Sequence, residues 1–162
     1  MWKNFIQSIK EKIMITFKDY LIEAKIGDCF EIAGKAMITP EPKFAKYITL
    51  IHAIVNGTGK LEGRKFVHAW NELGDIILDN SNGKKVVMKK SQYYALGKIN
   101  PKTKGAYKKY TREQATKHMQ KSRHFGPWHI NEKLEEEIPD EPREIGKKKV
   151  KISPELFATI PK

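Results

Sequence analysis

The sequence predicts an α+β fold in which a helix packs against an antiparallel sheet. Apolar residues recur at helical spacing after residue 28, β-branched residues dominate the segment 47–55, and alternating runs separated by turn signals follow it. With 162 residues, of which 40% are hydrophobic and 31% charged, the chain is long enough for one domain with a core. We assign residues 1–130 to this domain and residues 131–162 to a charged, proline-containing C-terminal tail.

The first predicted elements are helices. Apolar side chains every three to four positions predict one or two amphipathic helices over residues 2–25. A further helix begins at Cys29, with Asp28 as its N-cap and Glu31 three residues beyond the N-cap, as in a capping box. It ends before Thr39, because the prolines that follow break helices.

Four strands follow and form an antiparallel meander. Their predicted bounds are 47–55, 66–72, 75–79 and 84–90. Glu72 is expected to end its strand at the surface. A later helix is predicted after Thr111, which caps it while Gln114 reaches back, and this helix is expected to end near Ser122.

The two middle strands are predicted to bring a histidine and an aspartate together. With Leu73 and Gly74 as the central residues of a tight turn, His68 lies directly opposite Asp79 on the same face. A carboxylate beside an imidazole selects its tautomer and stabilises its charged form, as a catalytic base requires. A turn one residue longer would put Asp79 on the opposite face, so the pairing depends on this register.

The chain has one cysteine, Cys29, at the first turn of a predicted helix. The helix dipole and free backbone amides favour the thiolate there, whereas the carboxylates of Asp28 and Glu31 oppose it. His68 would therefore have to supply much of the activation. The alternative is that Cys29 is a small buried hydrophobic residue and His68 a strand histidine bonded to a core carboxylate. Only proximity between His68 and Cys29 separates the two interpretations.

The order of these residues resembles that of the transglutaminase-like branch of the papain-like cysteine enzymes. Cys29 at a helix start, the His-Ala-Trp run at His68 on a strand, and Asp79 on the next strand make the resemblance. Arylamine N-acetyltransferases have a similar order and spacing. Two positions depart from the family: Phe30 follows the cysteine where Trp is frequent, and Asn80 follows the aspartate where Pro is frequent.

The resemblance implies a papain-like fold and a thiol-dependent hydrolase or acyltransferase that acts on an amide or thioester carbonyl. Cys29 would be the nucleophile, His68 the base and acid, and Asp79 the residue that orients His68. No metal or organic cofactor is implied, and the expected partners are protein, peptide or other amide-bearing substrates. Trp70 and Trp128 are candidate substrate-binding residues, each with a place in the core as its alternative.

The charge of the chain supports a second class of function. The formal net charge is +12, and no acidic residue occurs between Asn80 and Arg112, where lysines and tyrosines alternate. Lysines neutralise phosphates and tyrosines stack on bases, so the alternative is a non-enzymatic nucleic-acid-binding protein that uses the stretch Lys84–Lys109. The plainer alternative for this stretch is a solvated charged face.

Other features of the sequence limit the possibilities. His118, His124 and His129 lie near Trp128, but their spacing matches no metal-binding template. His52 is a competing base without a carboxylate that can be placed opposite it. One cysteine excludes an internal disulfide framework. No run of residues suits a membrane span or a signal peptide, so a cytoplasmic location is predicted.

Overall fold

The computed structural model describes residues 28–39, 46–83, 85–130, 151–158 and 160. The helices predicted over residues 2–25 lie outside these residues. The strands are β1 (Ile48–Asn56), β2 (Lys65–Leu73), β3 (Ile76–Asp79), β4 (Val86–Lys89) and β5 (Tyr107–Tyr110). The helices are α1 (Cys29–Ile38), α2 (Lys90–Leu96), α3 (Arg112–Ser122) and α4 (Pro154–Ala158), and short 3-10 turns lie at Gly59–Leu61 and Ser81–Gly83.

The five strands form one antiparallel sheet in the order β4-β3-β2-β1-β5. Strands β1 to β4 are the predicted meander, in which short connections let consecutive strands pair. Strand β5 and helix α2 were not predicted. β5 pairs with the other edge of β1, where Tyr110 lies opposite Leu50. The α+β class and the packing of helices on an antiparallel sheet are therefore confirmed.

The register between β2 and β3 differs from the prediction by two residues. Glu72 pairs with Ile77, and Gly74 is the first central turn residue rather than the second. The φ of Gly74 is 61°, which suits the first position of a tight hairpin turn. The predicted direct opposition of His68 and Asp79 was therefore wrong. A shift of two residues still keeps both side chains on one face, because strand side chains alternate.

Helices cover both faces of the sheet. Helix α1 lies against one face, where Asn71 of β2 donates from Nδ2 to the Ala33 carbonyl at 3.1 Å. Helix α2 lies against the other face, where the Tyr93 and Tyr94 rings pack on Trp70. The two faces carry separate hydrophobic clusters, and strands β1 and β2 contribute to both. Six of the nine positions of β2 are therefore buried, and the other three are partly buried.

The two predicted capping boxes have different outcomes. At α3 the box is present: Gln114 N–H donates to Thr111 Oγ1 at 3.3 Å, and Thr111 N–H donates to Gln114 Oε1 at 3.0 Å. At α1 the predicted box was wrong. Asp28 lacks the extended backbone of an N-cap and makes no side-chain cap bond, while Glu31 forms an ion pair with Lys35. Both helices end where predicted.

Part of the segment assigned to the tail packs on the domain. Ile152 N–H donates to the Arg123 carbonyl at 3.1 Å, and the backbones of Lys151 and His124 form an isolated antiparallel β-bridge. Ile152 and Ile160 are buried in the cluster that contains α1. The packed unit thus extends beyond the predicted boundary at residue 130, while residues 131–150 lie outside the described part. Among the described helices, none is long and apolar enough to cross a membrane.

Candidate active site

His68 and Asp79 form a buried ion-paired hydrogen bond. His68 Nε2 lies 2.8 Å from Asp79 Oδ2, and the two residues are 5% and 8% exposed. Burial disfavours the charged imidazole, but the Asp79 carboxylate and Cys29 outweigh it and raise the pKa of His68 well above its usual value. The pair with Asp79 therefore favours the protonated imidazole, as a base that takes up a proton requires.

Both oxygens of Asp79 accept further hydrogen bonds. Tyr93 donates its hydroxyl to Oδ2 at 2.6 Å. Ser81 donates to Oδ1 twice, from its backbone N–H at 3.1 Å and from its hydroxyl at 2.7 Å. Burial alone would raise the pKa of Asp79, but His68, Tyr93 and Ser81 together hold that pKa well below its usual range. The carboxylate is thus ionised and fixed in orientation.

Cys29 lies close enough to His68 to raise the pKa of His68, although α1 and His68 belong to opposite faces of the sheet. Strand β3 ends at Asp79, so at the level of His68 strand β2 has no paired strand on that side, and Ser81 Oγ lies 3.4 Å from His68 Nε2 instead. The chain continues there through Ser81–Gly83, which contacts α1. Because Nε2 is bonded to Asp79, Nδ1 is the ring nitrogen that remains for Cys29.

The structure thus brings the three predicted catalytic residues together. Cys29 is the first residue of α1, so its backbone N–H belongs to the turn whose amides have no partner within the helix. Such an amide can donate to an oxyanion formed next to the sulfur. Because Cys29 is only 5% exposed, a substrate carbonyl can contact the sulfur only if neighbouring side chains move.

Both tryptophans predicted to bind substrate lie in the core. Trp70 is fully buried, and its ring stacks beside His68 with 6.0 Å between centroids and 28° between planes. Trp70 therefore supports the inner side of the imidazole. Trp128 is 7% exposed, and its backbone N–H points to Nδ1 of His52 at 3.4 Å. These places correspond to the core alternative that the sequence left open for each tryptophan.

Glu72 is a second buried carboxylate, and its predicted place at the surface was wrong. It is 1% exposed and accepts hydrogen bonds from Lys90 Nζ at 2.6 Å and from Tyr94 OH at 2.6 Å. The unpredicted helix α2 supplies both donors and covers this face. Strand alternation was the available signal, because Glu72 shares its face with His68 and Trp70.

The other histidines do not join the triad. His52 is fully buried on the face of the sheet that α1 covers, where its ring packs edge-on against Phe30 and Tyr110. Burial, followed by repulsion from neighbouring histidines, of which His118 is the strongest, lowers the pKa of His52 to about 3. A neutral, enclosed ring is a poor candidate for a base. Within the described ranges, no three His, Cys, Asp or Glu side chains are placed to hold a metal ion.

The lysine-rich stretch has exposed lysines but tyrosines whose hydroxyls bond internally. Tyr93 and Tyr94 donate to Asp79 and Glu72, and Tyr110 is buried with its hydroxyl on the Trp128 carbonyl. Within the described residues of this stretch, the exposed lysines are Lys85, Lys89, Lys98, Lys102, Lys104, Lys108 and Lys109. The lysines are thus exposed to a partner, whereas Tyr110 is buried and the rings of Tyr93, Tyr94 and Tyr107 are partly buried.

No protein-family model, no curated protein and no solved structure matches this chain.

Proposed function

We propose that this protein is a thiol-dependent hydrolase or acyltransferase that uses Cys29, His68 and Asp79 on an amide or thioester carbonyl. The observation that carries the proposal is the buried His68–Asp79 hydrogen bond, together with a Cys29 that lies close enough to His68 to raise its pKa. It is joined by the resemblance in residue order to transglutaminase-like enzymes. A structural histidine bonded to a core carboxylate does not need the chain's one thiol beside it.

The proposed reaction proceeds in two halves. The Cys29 thiolate, formed by proton transfer to His68, attacks the carbonyl carbon, and the electron pair of the C=O bond moves to oxygen. The backbone N–H of Cys29 donates to this oxyanion. When the carbonyl reforms, the bond to the leaving amine or thiol breaks and His68 gives it the proton. The acyl group is then a thioester on Cys29.

The second half releases the acyl group. Water or an amine attacks the thioester while His68 accepts its proton, and the sulfur leaves as thiolate. Water gives peptidase, amidase or deamidase activity, and an amine gives acyl transfer. Asp79 stabilises the imidazolium throughout. The proposal includes a papain-like fold, amide-bearing protein or peptide substrates, no metal or organic cofactor, and a cytoplasmic location, where reducing conditions keep thiols free.

The test is the pH dependence of Cys29 alkylation by iodoacetamide, followed by intact-mass spectrometry. An ordinary thiol has a pKa of about 8.5, so rapid labelling of the native protein at about pH 6.5 would show an activated thiolate. We expect this labelling to be lost in His68→Ala. His118→Ala is the matched control, because His118 stacks on Trp128 and is not bonded to Asp79. Labelling that appears only on unfolding would contradict the proposal.

Nucleic-acid binding is the second candidate, and the acid-free run of exposed lysines between Lys85 and Lys109 favours it. It predicts salt-sensitive binding of oligonucleotides that survives Cys29→Ala. The enzyme proposal predicts that Cys29→Ala removes acyl transfer and leaves the fold intact, since alanine fills most of the buried volume. Measuring both properties on Cys29→Ala distinguishes the two functions.

A further inference from the structure

Two adjacent tyrosines of α2 bond to different buried carboxylates. Tyr93 donates to Asp79 at 2.6 Å, and Tyr94 donates to Glu72 at 2.6 Å. Both rings pack against Trp70. The two tyrosines therefore share a helix, a kind of hydrogen bond and a neighbour. They differ in what lies beyond them: His68 is bonded to Asp79, whereas Glu72 pairs with lysine and the Tyr94 hydroxyl also lies 2.9 Å from the Tyr107 hydroxyl.

The hydroxyl of Tyr93 lies on the oxygen of Asp79 that faces His68. Oδ2 accepts from both Tyr93 and His68, whereas Ser81 holds Oδ1. Burial, reinforced by the Asp79 charge, raises the pKa of Tyr93 far above its usual value, so its hydroxyl stays protonated and acts as a donor. Without this donor, Oδ2 would accept from His68 alone. The two hydrogen bonds from Ser81 to Oδ1 could then rotate the carboxylate away from His68.

We propose that Tyr93 is a positioning residue of the active site, whose hydroxyl holds Asp79 Oδ2 where His68 Nε2 meets it. The inference rests on the proposed function. Tyr93 acts through Asp79 on the proton of His68, and so on the fraction of Cys29 that is thiolate at neutral pH. At high pH the thiolate forms without His68, and the contribution of Tyr93 disappears.

The experiment compares Tyr93→Phe with Tyr94→Phe. Both variants keep the ring and remove one hydroxyl, and unfolding curves verify that both are folded. Iodoacetamide labelling of Cys29 is measured at about pH 6.5 and about pH 9.5, on either side of an ordinary thiol pKa. We expect Tyr93→Phe to label about tenfold more slowly than wild type at the lower pH, the effect of about one pKa unit in His68, and within about twofold at the higher pH. Tyr94→Phe should match wild type at both.

Three results would overturn the inference. Equal changes in the two variants, or a change in Tyr93→Phe of the same size at both pH values, would mean that losing either hydroxyl merely loosens α2. An unchanged or faster rate in Tyr93→Phe at about pH 6.5 would mean that Asp79 needs no help in its orientation. His68→Ala, measured alongside, separates a failure of the Tyr93 inference from a failure of the proposed function. Unchanged labelling in His68→Ala would contradict the catalytic triad, and the inferred role of Tyr93 would fail together with it.

Discussion

Replacing Asp79 with asparagine tests the triad because Ser81 determines how the new amide must lie. The Ser81 backbone N–H, 3.1 Å from Oδ1, can only donate, so in Asp79→Asn the amide oxygen must take the Oδ1 position. The amide nitrogen then takes the Oδ2 position, 2.8 Å from His68 Nε2. To avoid two facing donors, His68 must accept at Nε2 and carry its proton on Nδ1. That tautomer cannot accept the proton of Cys29.

The expected magnitude follows from the loss of a buried ion pair. Removing one partner of such a pair costs roughly 3–5 kcal/mol, which corresponds to a factor of at least about 100. The equivalent substitution in serine enzymes lowers the turnover rate by about 10⁴, because it leaves the wrong tautomer. We therefore expect Cys29 labelling at about pH 6.5 to fall at least about 100-fold in Asp79→Asn, and the free energy of unfolding to fall by about 3 kcal/mol.

Glu72→Gln is the matched control. Glu72 is also a buried carboxylate on the face covered by α2, but its charge partner is Lys90, whose side chain is 30% exposed. Lys90 can regain water, so we expect a loss of about 1–3 kcal/mol in unfolding free energy. Labelling of Cys29 should stay within about twofold of wild type. Rapid labelling of Asp79→Asn at about pH 6.5, or an equal fall in both variants, would refute the proposed coupling of Asp79 to Cys29.

Two further predictions concern stability. Alanine forms helices better than glycine, yet we expect Gly34→Ala to lower the free energy of unfolding by about 1–3 kcal/mol, because its Cβ would lie 2.4 Å from Phe125 Cδ1. A higher free energy of unfolding in urea for Gly34→Ala than for wild type would contradict the packing of α1 on Phe125. His52 has a pKa of about 3 when folded and about 6.5 when unfolded, so between these values the unfolded chain binds the extra proton and stability falls as the pH falls. Wild type should therefore lose about 2 kcal/mol more than His52→Phe between pH 8 and pH 5, and parallel losses in the two proteins would contradict this account.

Features that depend on neighbouring residues were predicted correctly from the sequence. The cap of α3 by Thr111 and Gln114 needs residues three positions apart, and the end of α1 needs the prolines beyond Thr39. The four-stranded meander follows from alternating runs and short turns. The box predicted at Asp28 was wrong although its residues have the right spacing, because the backbone at the start of α1 is not extended.

Features that depend on distant residues were missed or misplaced. Helix α2 lies in a segment whose lysines and tyrosines resemble an exposed binding face, and its position over the sheet is what buries Glu72. The register between β2 and β3 depends on which turn residue takes the positive φ. Leu73 and Gly74 were predicted at the centre, whereas the structure places Gly74 first. The error of two residues preserved the shared face of His68 and Asp79, where an error of one would have reversed it.

The sequence by itself determined the α+β class, the helix that begins at Cys29, and the presence of His68 and Asp79 on one face of adjacent strands. These follow from side-chain periodicity, which is a local property of the chain. Tertiary structure alone decided that β3 stops at Asp79 and that Cys29 of α1 lies close enough to His68 to raise its pKa. It also decided which tyrosine reaches Asp79. Contacts between elements far apart in the chain depend on how the sheet and helices pack together, which no local pattern specifies.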